Sequence, residues 1–120
     1  MPEPYEHLAL LALRVAGFRS RRVPTRLGPL HALEGPGRGA LPPTVLLHGL
    51  GSTGVHYGGL LRRLRPRVRR LVAPDFPAHG FSGRPWRQVT PEELVGSMTD
   101  ALDALIVPGE PAVLFGNSLG

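Results

Sequence analysis

The chain contains no cysteine and no lysine. Without cysteine there is no disulfide framework, no thiol nucleophile and no thiolate ligand for zinc or an iron–sulfur cluster. Without lysine there is no Schiff-base amine and no Lys-rich targeting signal, and all 14 basic residues are arginine. Aromatic residues are scarce at 6%, so none is interleaved with the arginines as a base-stacking surface requires. Long apolar runs are missing too. The best leader candidate, residues 8–13, follows Glu3 and Glu6 and runs into Arg14, which suits neither a secretory signal nor a membrane span. What remains is 120 residues, 42% hydrophobic, with nine acidic residues and a net charge of +5. That is enough for one small packed domain, read as cytoplasmic.

The 5–16 stretch reads as a helix, with Leu8, Leu11, Ala12 and Val15 at i, i+3, i+4 and i+7. Leu10 and Leu13 lie off that stripe, and Gly17 is a stop. Residues 23–27 and 30–34 are short extended runs around Gly28-Pro29, which predicts an antiparallel hairpin. The 35–43 stretch, rich in glycine and proline, predicts a surface loop. Thr44-Val45-Leu46-Leu47 has the composition of a strand buried on both faces, and it ends in His48-Gly49-Leu50-Gly51-Ser52. Tyr57, Leu60, Leu61 and Leu64 give one face of a helix that Pro66 terminates. Leu71-Val72-Ala73 predicts a second buried strand, followed by a loop over 74–80. Thr90-Pro91-Glu92-Glu93 is a capped helix start, with Leu94, Met98, Ala101, Leu102 and Leu105 as its apolar face. Ala112-Val113-Leu114-Phe115 predicts a third buried strand. Strands alternating with helices argue an α/β fold with a mostly parallel sheet.

The chemistry gathers at the end of the chain. Gly116-Asn117-Ser118-Leu119-Gly120 fits GxSxG, a sharp strand-to-helix turn that pushes a serine hydroxyl out of the sheet. The turn brings its flanks together, so the positions two before and two after the serine must be small. With LLHGLGST (46–53) and APDFPAHGFS (73–82) upstream in the expected order, the sequence resembles the α/β-hydrolase fold superfamily. The resemblance runs from about Val23 onward and is closest to the serine esterase, C–C hydrolase and cofactor-free haloperoxidase branch. Ala78 departs from it, standing where the family usually has glycine before the His-Gly pair.

The resemblance implies Ser118 as nucleophile, with the backbone N–H groups of Leu50 and Leu119 as the oxyanion hole. It gives His48, Gly49, Asp75, His79, Gly80, Gly116 and Gly120 structural places in the motifs. The family order is serine, acid, histidine, whereas His7, His31, His48, His56, His79 and Asp75 all precede Ser118. The triad acid, the catalytic histidine and any lid are therefore expected after Gly120. The chain is read as the N-terminal fragment of a longer hydrolase, truncated at the nucleophile elbow. Residues 1–20 form a helical segment and 21–120 an incomplete hydrolase domain with an N-terminal antiparallel hairpin. Such an enzyme cleaves an ester, thioester or C–C bond through an acyl-serine, and a serine at the turn argues against the haloalkane dehalogenase and epoxide hydrolase branches, which use aspartate there.

Two other classes stand beside this reading. The same fold can serve an acyltransferase or a non-catalytic binding protein. Gly49, Gly51 and Gly54 also spell GxGxxG after a strand, with Asp75 near the place of a ribose-binding acid, as in a Rossmann-like dinucleotide domain. Arg62, Arg63, Arg65, Arg67, Arg69 and Arg70 crowd one stretch, but they flank a helical stripe and fill a turn. Neither nucleic acid nor membrane is expected as a partner, only a small-molecule substrate, and neither a cofactor nor a metal site is expected.

Overall fold

A computed structural model describes residues 2–85 and 87–120. Helix α1, Pro4–Val15, starts with Pro4 at its first position and a capping box in which Glu3 and Glu6 satisfy each other's backbone N–H. The face it buries is not the Leu8 stripe: Leu8, Leu11 and Val15 are 67%, 57% and 82% exposed, while Glu6, Leu10 and Leu13 are buried. Those three lie at i, i+4 and i+7, so the docking stripe contains a carboxylate and escapes a search for apolar periodicity. The Glu6 carboxylate is held by the Glu3 amide at 2.8 Å and by His56 at 2.9 Å.

Strands β1, Arg19–Val23, and β2, Leu30–Pro36, form the expected antiparallel hairpin with Val23 opposite Leu30. The first strand lies earlier than the predicted 23–27 run. Thr25 explains the shift, because its carbonyl accepts the Gly28 amide at 3.0 Å and its hydroxyl donates to the Gly28 carbonyl at 2.6 Å, closing the chain into a turn. Strand β3, Thr44–Leu47, is wholly buried. A 3-10 turn over Gly54–Tyr57 leads into helix α2, Gly58–Leu64, and strand β4, Arg70–Pro74, follows. Helix α3, Pro91–Leu105, opens with both hydrogen bonds of the Thr90–Glu93 capping box. Strand β5 is Val113–Gly116.

The sheet order is β1-β2-β4-β3-β5, with β2 antiparallel to β4 and β3 parallel to both β4 and β5. Alternation along the strands divides the core into two layers. Leu33, Leu46, Leu71 and Ala73 face Leu10, Leu13 and Leu61 of α1 and α2. Ala32, Val45, Leu47 and Val72 face Met98, Ala101 and Leu105 of α3. Some of the crowded arginines serve this framework: Arg65 lies 4.5 Å over the Phe18 ring, and Arg70 bonds the Leu105 carbonyl and Glu34.

Strand β5 departs from the prediction. Its apolar residues were expected inside, yet Val113, Leu114 and Phe115 are 48%, 52% and 49% exposed. It is an edge strand paired only with β3, and composition alone cannot report what lies beyond the edge.

Candidate active site

The turn after β5 carries Ser118 in the left-handed region, at φ 59°. L-residues other than glycine avoid this conformation, and holding one there costs about 1–3 kcal/mol. Three glycines make it possible. A Cβ on Gly116 would lie 2.2 Å from the Gly120 carbonyl carbon, and one on Gly120 would lie 2.4 Å from the Leu47 carbonyl oxygen. A Cβ on Gly49 would lie 3.2 Å from the Ser118 Cβ, so the loop after β3 packs directly against the serine. The Leu47 carbonyl anchors the turn by accepting the Asn117 amide at 3.2 Å and the Tyr57 hydroxyl at 3.0 Å. Tyr57 also meets the Phe115 ring edge to face at 6.3 Å. Leu119 packs against the α3 core layer, which fixes the residue next to the serine. The Leu50 side chain is 75% exposed, so packing does not require that residue to be leucine.

His48 ties the two loops at this end of the sheet together. Its Nδ1–H donates to the Gly49 carbonyl at 2.7 Å and its Nε2 accepts the Phe76 amide at 3.0 Å. Burial pushes its pKa below the ordinary 6.5, outweighing the Gly49 bond and Asp75, which act in the opposite sense. The ring is thus neutral and fully used. Asp75 is buried as completely. Its Oδ1 accepts the Thr53 hydroxyl at 2.8 Å and the Gly54 amide at 2.6 Å, and its Oδ2 accepts His31 Nδ1–H and the Phe81 amide, both at 3.0 Å. Burial alone raises the carboxyl pKa, but these hydrogen bonds together hold it below its ordinary value. Asp75 therefore stays ionised and organises three segments of chain.

The β4 loop shows why its motif has the letters it has. Ala78 adopts φ 64°, which accounts for glycine being usual there. Gly80 is at φ 50°, and a Cβ on it would lie 2.3 Å from Thr53 Oγ1 and 2.6 Å from Asp75 Oδ2. His79 donates from Nδ1 to the Pro77 carbonyl at 2.9 Å and stacks obliquely on His48 at 5.1 Å. Between the two loops and α1 opens a cleft of about 370 Å³, lined by Glu6, Ser52, His56, His79 and Gly80 among others. Among the described residues, no histidine or carboxylate hydrogen-bonds the Ser118 hydroxyl.

Sequence reasoning missed His31, Thr53 and Ser82. His31 holds Asp75, and Ser82 bridges the His31 amide at 2.9 Å to the Asp75 carbonyl at 2.7 Å. Their partners are far away in sequence, and no local pattern announces them. The dinucleotide alternative fails on the same geometry. Gly49 faces the serine turn, Gly54 abuts the Ala73 carbonyl, and Asp75 has no free edge for a ribose.

Comparison with known proteins agrees. Residues 44–120 match the alpha/beta hydrolase family. Similar solved structures include an alpha/beta hydrolase from Novosphingobium aromaticivorans, 23% identical with a TM-score of 0.75, covering 86% of this chain and 36% of that one. An epoxide hydrolase from Vigna radiata is 25% identical at a TM-score of 0.73, over 88% of this chain and 33% of that one. A haloalkane dehalogenase from Agrobacterium tumefaciens is 27% identical at a TM-score of 0.71, over 84% of this chain and 33% of that one. No curated protein matches significantly. The chain spans about a third of the length of these solved structures. With the family profile covering well over half of its residues, and the strained serine turn folded against the His-Gly loop, this chain belongs to the alpha/beta hydrolase family.

Proposed function

We propose that Ser118 is the nucleophile of a serine hydrolase that cleaves an ester, thioester or C–C bond through an acyl-serine intermediate. The observation that carries the reading is the left-handed backbone of Ser118, a strain with no use in packing at an exposed turn. The backbone N–H groups of Leu50 and Leu119 take the oxyanion, and removing one such donor typically costs about a hundred- to a thousandfold in rate. The base and its acid come from outside these 120 residues. His48 has both ring nitrogens committed, Nδ1–H to the Gly49 carbonyl and Nε2 to the Phe76 amide, Asp75 is saturated with donors, and among the described residues no histidine hydrogen-bonds the Ser118 hydroxyl.

The epoxide hydrolase and haloalkane dehalogenase among the similar structures do not extend their activities to this reading. The branches they represent attack with a carboxylate, and this chain has a hydroxyl at the turn. A hydroxyl needs a base to become nucleophilic and leaves an acyl ester that water cleaves. An acyltransferase on the same fold differs only in the acceptor. The test is turnover of p-nitrophenyl esters by the protein carrying its native downstream sequence. Turnover abolished by Ser118→Ala supports the proposal, and turnover unchanged in that variant overturns it. Product partition between water and an added alcohol separates hydrolase from transferase.

A further inference from the structure

We propose that Ser20, His31 and Asp75 form a second acyl-accepting centre, separate from Ser118, that takes small anionic acyl donors of the acyl phosphate class. Ser20 Oγ lies 2.8 Å from His31 Nε2, and His31 Nδ1 lies 3.0 Å from Asp75 Oδ2. Nδ1–H donates to Asp75 Oδ2, so in the neutral imidazole Nε2 carries the lone pair and the Ser20 hydroxyl is the donor. This is the protonation state in which an imidazole acts as general base for a serine. His31 is 3% exposed, with Phe81 against its ring at 5.3 Å, so its orientation is fixed. Ser20 is half-buried on β1, an edge strand, with Arg14 of α1 against its hydroxyl.

The charge around Ser20 selects the donor. Arg14 NH2 donates to Ser20 Oγ at 3.0 Å, and Arg22 lies on the same face of β1, while Arg19 and Arg21 face the other side, where they pair with Glu34. The Arg14 guanidinium supports both a developing charge on Oγ and a phosphate leaving group. In the step, the Ser20 proton passes to His31 Nε2 as Oγ bonds to the carbonyl carbon. The bond from that carbon to the phosphate oxygen breaks, and the phosphate leaves with the proton from His31 as hydrogen phosphate. Water then hydrolyses the ester, releasing the carboxylic acid and restoring the Ser20 hydroxyl.

Acetyl phosphate is the probe, with the site read by peptide mass spectrometry on the 120-residue chain, which has no lysine to compete. The expected result is acetyl on Ser20 at least about a hundredfold faster in the folded chain than in urea, the least a positioned base contributes. Labelling persists in Ser118→Ala, slows in Arg14→Ala, and is lost in Ser20→Ala and in folded His31→Gln. Should His31→Gln fail to fold, the folded-to-urea ratio decides. A ratio near one, or a folded His31→Gln chain that keeps the rate, overturns the proposal and leaves the Ser118 reading untouched.

Discussion

Ala78 and Ser118 both hold backbone conformations that glycine adopts more readily, at φ 64° and 59°. On the proposed reading the Ser118 hydroxyl is the reason for tolerating the strain, and this separates two substitutions. Ser118→Gly relieves about 1–2 kcal/mol of left-handed strain against about 0.5–1 kcal/mol of added chain entropy. It is expected to raise the unfolding free energy in urea slightly while removing the nucleophile, whereas Ser118→Ala leaves stability unchanged. Equal effects would mean that the turn is not strained. The buried ionisable pair gives a second residue-scale expectation. His48 has a depressed folded pKa, so its contribution is complete above 6.5 and declines as pH falls below that value. Asp75 is also depressed, so its contribution is complete above 3.8 and is lost as pH falls through its folded value. Stability should therefore fall in two stages on acidification. Asp75→Asn, which leaves His31 and two amides facing a neutral group, should destabilise by about 2–4 kcal/mol. It should also shrink the lower stage to the part that Glu34, Glu93 and Asp100, also depressed, contribute. Urea titrations between neutral and acid pH measure both. The Ser118 motif was legible because its residues are adjacent in sequence. The Ser20–His31–Asp75 chain was not, because its members lie on β1, β2 and the loop after β4.

Elements were legible wherever the local signal was also the tertiary one. The Thr90–Glu93 capping box appears with both of its hydrogen bonds, and the apolar 44–47 run is a strand buried throughout. Helix α1 shows the opposite case. Its apolar residues surround most of the axis, so periodicity leaves the docking side open between the Leu8 stripe and Leu10 with Leu13. The packed face is instead fixed by Glu6, whose carboxylate finds His56. Truncation should distinguish the faces clearly. Leu13→Ala is expected to cost about 2–5 kcal/mol, as for a buried leucine, and Leu8→Ala within about 0.5 kcal/mol, as for a surface position. Comparable losses in urea denaturation would restore the Leu8 stripe as the docking face.

The 120 residues form a five-stranded sheet with a helical layer on each face, the Ser118 turn at one end and an apolar strand at its edge. Val113, Leu114 and Phe115 are each about half exposed on β5, an arrangement that invites pairing with another chain. The 120-residue chain should therefore self-associate in sedimentation experiments, and Leu114→Arg should shift it toward monomer. A monomer at high concentration without the substitution would contradict this. The fold class was legible at this scale because three motifs in order specify it. The central claim is that Ser118 is an activated nucleophile set by its turn. Fluorophosphonate labelling tests it most directly, using protein with its native downstream sequence and Ser20→Ala in the background so that only the elbow reports. The account predicts one adduct, on Ser118, lost in Ser118→Ala and nearly lost in Gly120→Val, where a side chain would meet the Leu47 carbonyl at 2.4 Å. An adduct on Ser52, Ser82 or Ser97, or undiminished labelling in Gly120→Val, would contradict it.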